Sequence, residues 1–74
     1  MKTRKVVKVG ACDGRVYYAY DLALIKQYFE LIGALAVTIT DNQKISVSDS
    51  GFSYNGIELK EVARGVFTKM EVVK

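Results

Sequence analysis

The side chains best equipped for chemistry in this chain are cations gathered at one end. Lys2, Arg4, Lys5, Lys8 and Arg15 fall within the first fifteen residues against Asp13 alone, 5 − 1 = +4. Residues 16–74 carry six basic and seven acidic side chains, 6 − 7 = −1, so the whole net charge of +3 sits in the first fifth of the sequence. A segregated positive segment suits an anionic partner. It equally suits an exposed sheet edge, where Lys and Arg block strand-to-strand aggregation.

Other reactive chemistry is thinly supplied. There is no histidine, which removes the commonest general base and metal ligand. Cys12 has no histidine to activate it, and reads as an inert turn thiol. Four zinc ligands at suitable spacing are missing. Asp41, Asp49, Glu58 and Glu61 could pair as acid and base, but helix and turn positions account for each of them. Gly10 and Gly14 lack the spacing of a phosphate-binding fingerprint, and no helix starts there. The expectation is a protein that is not an enzyme and uses no cofactor or metal. A single cysteine fits a reducing compartment. The apolar run after the basic start is only Val6-Val7, cut short by Lys8, so a signal-peptide core is missing, and no apolar run approaches the ~20 residues that span a bilayer. These point to the cytoplasm, away from membranes.

The elements that must position these residues can be read from periodicity. Arg4–Gly10 alternates as a strand, with Lys5, Val7 and Val9 on one face and Arg4, Val6 and Lys8 on the other. Cys12-Asp13-Gly14 is a turn signal. Arg15–Tyr20 forms a second strand, placing Val16, Tyr18 and Tyr20 opposite Arg15, Tyr17 and Ala19. Asp21 is a helix N-cap, Leu22, Ile25, Tyr28, Phe29 and Ile32 make an apolar stripe, and Gly33 ends the helix. Leu35, Val37 and Ile39 then alternate as the inward side of a half-buried strand. Asp41–Gln43 turns the chain, and Lys44–Ser48 returns with Ile45 and Val47 inward. Phe52–Tyr54 is a short strand. Asn55-Gly56 offers either a hairpin turn or a helix start, with Glu58 as capping-box partner; Leu59, Val62, Ala63 and Val66 favour the helix, ended by Gly65. Val66–Val73 closes as a strand. Seventy-four residues make one domain, 1–74, which buries only ~60% of its unfolded surface, so oligomerisation is a natural source of further stability.

Lys8-Val9, Gly14-Arg15-Val16 and Tyr18-Ala19-Tyr20-Asp21-Leu22 are followed by Ala34–Thr40, turning through Asp41-Asn42-Gln43-Lys44 into Ile45-Ser46-Val47. This ordered set resembles the swapped-hairpin DNA-binding domain of AbrB/SpoVT-type transition-state regulators, over about residues 4–48. The chain departs from the pattern at Ala19, where the family has proline, and at Ala23 and Leu24, where the family places basic residues. The resemblance implies a mostly β, α+β fold in which two chains interleave their hairpins into one barrel, with a short helix per chain. Residues 49–74 are then a C-terminal extension, a helix/strand element that could form a tetramer contact or a partner site. Lys8 and Arg15 match DNA-facing positions, and Arg4 and Lys5 lie near such positions.

Tyr17 joins this set because it shares a face with Arg15, beside the basic turn. The remaining aromatic residues fit core and subunit interface better than platforms for unpaired bases. The function expected is binding of double-stranded DNA by a homodimeric transcriptional regulator. Arg15 would reach a guanine edge, and Lys5 and Lys8 would anchor phosphates. The alternative is a small protein–protein module, antitoxin-like or a phage-type inhibitor, without nucleic-acid binding. A binder of RNA or single strands comes third.

Overall fold

The computed structural model describes residues 2–49 and 51–70. It contains six strands, β1 (Lys2–Ala11), β2 (Val16–Ala19), β3 (Ala36–Ser48), β4 (Gly51–Tyr54), β5 (Ile57–Ala63) and β6 (Val66–Lys69), and one helix, α1 (Leu22–Ile32). Every pairing is antiparallel. The strand order β1-β2-β6-β5-β4-β3 closes where β3 returns to β1, giving a barrel formed within one chain. The fold is therefore mostly β with one short helix.

Alternation along the strands builds two apolar layers. Val6, Tyr18, Ile45, Leu59 and Phe67, with Val16, Tyr20, Phe52 and Tyr54 around them, come from all six strands and fill the barrel. Val7, Val9, Ala11, Tyr17, Ala19 and Val66 point the other way and are covered by Ile25 and Phe29 of α1. The faces expected for the first two strands are those observed. Over Val7–Ala11 and Tyr17–Ala19 both faces are buried, because α1 covers what would otherwise be the wet side,.

Local signals set the helix and its entry. Asp21 Oδ1 accepts the Leu24 backbone N–H at 2.9 Å, satisfying one donor left open by the first turn. Gly33 closes the helix in the left-handed conformation, φ 70°. The turn between β1 and β2 is held by Ala11 N–H to Arg15 O at 2.7 Å and by Gly14 N–H to Ala11 O at 3.0 Å. Asp13 Oδ1 accepts the Arg15 N–H there at 3.0 Å.

Four expectations are corrected. Asp41–Gln43 is not a turn: Ala36–Ser48 is one continuous strand. Val6 faces Gln43 and Lys8 faces Thr40, so Asp41 and Asn42 together oppose Val7 as a bulge. The polar residues that supply a turn also supply a bulge, and Asn42 takes φ 61° to do so,. Leu35, Val37 and Ile39 are not inward but exposed, since only β1 accompanies this half of β3. Residues 57–63 form a strand, not a helix. Asn55 and Gly56, at φ 49° and 82°, make the two-residue hairpin that an Asn-Gly pair favours, and pairing of Leu59 with Phe52 on one side and Lys69 on the other outweighs helical spacing. Residues 51–70 are thus half of the barrel's strands, not an appended helix/strand element. Tyr17, expected at the surface, is only 4% exposed, because α1 lies across its face. The expected last strand, Val66–Val73, runs only to Lys69; Met70 lies outside it, and residues 71–73 lie outside the described residues.

Candidate nucleic-acid interface

β1 outruns its neighbour. Val7–Gly10 lies between β2 and β3, but Lys2–Val6 pairs with β3 alone. Lys2–Val6 and Gln43–Val47 therefore form a two-stranded ribbon whose β1 edge faces no strand among the described residues. Val6 and Ile45 seal its inner face into the barrel. On its outer face Thr3 stands opposite Ser46, and Lys5 stands directly opposite Lys44. Both lysines are exposed, and among the described residues neither has a carboxylate within ion-pair distance. Like charges set opposite each other destabilise a ladder. Two ammonium groups flanked by two hydroxyls are donors suited to phosphate oxygens.

The five residues expected from the sequence do not share this face. Lys5 does. Arg4 and Lys8 lie on the other side of β1, each over an aromatic ring: the Arg4 Cζ is 3.7 Å from the centroid of Tyr20, and the Lys8 Nζ is 5.6 Å from that of Tyr54. The Tyr54 hydroxyl donates to Gln43 Oε1 at 2.6 Å. Such contacts suit cations that seal the rims of an aromatic core. Arg15 lies at the far end of β1, on the turn, with its Nε 3.8 Å from Asp13 Oδ2. Arg15 pairs across the turn with Ala11, six strand positions from Lys5, which is about 20 Å at the rise of a strand. Tyr17 is packed under α1, its ring 5.3 Å from Phe29 and 5.6 Å from Tyr28, and offers no stacking platform.

Lys44 carries no signal of its own in the sequence. As the first residue of a returning hairpin it has no reason to meet Lys5; only the register of β3 on β1 brings them together. A purely protective role for the basic segment also has a structural basis, because Lys2, Arg4 and Lys5 occupy a bare strand edge, where charge prevents unwanted pairing.

Two tyrosines are electrostatically perturbed. Burial, with a smaller contribution from neighbouring Tyr54, raises the Tyr18 phenol above its ordinary value. Burial and then Tyr17 raise Tyr28, with Arg15 pulling it back down. Of the four carboxylates that could pair as acid and base, Asp41 accepts the Asn42 N–H at 2.9 Å and Glu61 accepts the Gly65 N–H at 3.1 Å. Among the described residues no three Cys, Asp or Glu side chains converge on a point that could hold a metal ion, and no helix is long and apolar enough to cross a membrane. Comparison with protein-family models, curated proteins and solved structures finds no match to this chain.

Proposed function

We propose that the chain binds double-stranded DNA through the outer face of the β1–β3 ribbon, acting as a homodimeric transcriptional regulator. The observation that carries this reading is the Lys5–Lys44 pair, an opposed pair of like charges that a phosphate would relieve. A two-stranded antiparallel ribbon is also an element that the major groove of duplex DNA, about 12 Å wide, admits. Lys5 and Lys44 would grip phosphates, with Thr3 and Ser46 adding hydroxyl contacts; such contacts position a protein without reading sequence. Arg15 and Lys8 belong to the same proposal as outlying contacts. In this reading two chains associate as a homodimer of the swapped-hairpin kind that the sequence resemblance implies, each chain carrying all six strands of the barrel.

The test is fluorescence anisotropy on a duplex of about 20–30 base pairs across a salt series. Affinity should fall steeply with salt. Replacing Lys5 and Lys44 with alanine should reduce the log–log salt slope by about 1.8 per subunit, 0.9 for each phosphate that is no longer neutralised. Lys8→Ala with Arg15→Ala reports on the outlying contacts. Binding indifferent to salt, or unaltered by both pairs of substitutions, refutes the proposal. A protein-docking module is the second reading, favoured by the exposed side chains of Leu31, Leu35, Val37 and Ile39; it requires that no duplex be retained at any salt concentration.

A further inference from the structure

We propose that two copies of this chain associate edge to edge through Ala36–Thr40 of β3, strand antiparallel to strand. β3 pairs with β1 along its length but with β4 only over Ser46–Ser48. The opposite edge of Ala36–Ile45 thus faces no strand among the described residues. A row of unpaired backbone donors and acceptors on such an edge is a template for another strand, which proteins normally blunt with charge, proline or a bulge. The ribbon's other bare edge, Lys2–Val6, is blunted by Lys2, Arg4 and Lys5. The Ala36–Thr40 part of the β3 edge is not: it carries no charge, the chain has no proline, and the Asp41-Asn42 bulge lies beyond it.

The surface beside this edge is apolar. Leu35, Val37 and Ile39 are 71%, 66% and 53% exposed. Between α1 and β3 lies a groove of about 260 Å³ whose lining includes Leu22, Ile25, Phe29, Leu35 and Ile39. Monomers seldom leave a contiguous apolar patch beyond a few hundred Å² in water.

The occupant that fits is a second copy. The uncharged edge presents the same kind of residue on either side of Thr38, so the strand that matches it is its own copy. A two-fold axis through Thr38, perpendicular to the sheet, sets Thr38 opposite its own copy and Val37 opposite Ile39 of the partner subunit. Each of these pairs is uncharged, and the Thr38 and Val37–Ile39 pairs are β-branched, the kind that stabilises neighbouring strands; Ala36 meets Thr40 beyond them. The same axis keeps both Lys5–Lys44 faces on one side of a continuous sheet. The interface does not depend on the nucleic-acid reading, and its test contains no DNA.

Molar mass in solution is measured by sedimentation equilibrium for the full chain, for Val37→Lys and for Val37→Lys with Ile39→Lys. Val37 and Ile39 are more than half exposed, so lysine there leaves the barrel interior intact; a circular dichroism melt checks that each variant folds. The parent should weigh twice 8.2 kDa and the double variant once. Independently of any variant, amide hydrogen exchange at residues 36–40 of the parent should slow as protein concentration rises, with β5 unaffected. A parent that stays at single-chain mass at the highest concentration overturns the proposal. So does a dimer that survives both lysines, or exchange at residues 36–40 that ignores concentration.

Discussion

Replacing Lys44 with glutamate sets stability against binding in one experiment. Lys5 and Lys44 are direct cross-strand partners, a geometry that holds the Cβ atoms about 4.5–5.5 Å apart. Opposite charges so placed contribute roughly 0.2–1 kcal/mol, and like charges cost a similar amount. Both side chains are exposed, so water and salt keep each figure toward the lower end. Lys44→Glu removes a repulsion and installs an attraction, a combined gain of about 0.5–1 kcal/mol. At about 4–8 °C per kcal/mol for a domain of this size, Tm should rise by about 2–8 °C. Calorimetry or circular dichroism melts in low salt measure this. The gain should shrink toward 1 M salt, where the screening length falls to about 3 Å from about 10 Å at 0.1 M. The same substitution should weaken duplex binding and reduce its salt slope by at least about 0.9. A more stable protein that binds less is the signature of a repulsion retained for an anionic partner. A fall in Tm at low salt would refute the facing of Lys5 and Lys44; a rise in Tm with undiminished duplex affinity would refute the role of this face.

Two other outcomes follow from the barrel itself. Gly65 has φ +74°, and a Cβ there would meet Leu24 Cδ1 at 2.7 Å and Tyr20 Cδ2 at 3.1 Å; Gly65→Ala should cost roughly 1–3 kcal/mol, read as a lower urea midpoint with an unchanged slope, and an unshifted midpoint would show that this turn is not under steric constraint. The Tyr18 phenol, raised by burial and by Tyr54, holds its proton more tightly in the fold than in the unfolded chain. Its stabilisation is complete below the unfolded value near 10 and is lost as pH rises through the higher folded value. Urea titrations between about pH 9 and pH 11 should show a shallower alkaline decline for Tyr18→Phe; superimposable declines would contradict the assignment.

Local chemistry made much of this legible. The split of Val6 from Val7 and Val9, and of Tyr18 from Tyr17, follows from the two-residue period of a strand. Asp21 and Gly33 bound the helix because one can accept an orphan N–H and the other can adopt positive φ. Asp13-Gly14 turns the chain for the same kind of reason. Sequence and structure part company where one local chemistry serves two structures. Asp41-Asn42 satisfies a bulge as readily as a hairpin turn. Asn55-Gly56, followed by Leu59, Val62 and Ala63, satisfies a helix start or a hairpin equally well until β4 and β6 are present as neighbours.

The sequence by itself determined which faces alternate, where the helix begins and ends, and that the excess positive charge belongs to the first fifteen residues. Tertiary structure decided which of those faces meet water. Tyr17 is buried because α1 lands on it, and Ile39 is exposed because β4 reaches only Ser46–Ser48. Lys44 faces Lys5 because thirteen residues of β3 pair along β1 rather than fold back. Periodicity is a property of neighbouring residues and survives in a string of letters. Register and coverage depend on contacts between residues far apart in the chain, whose energies add up only once the barrel is closed.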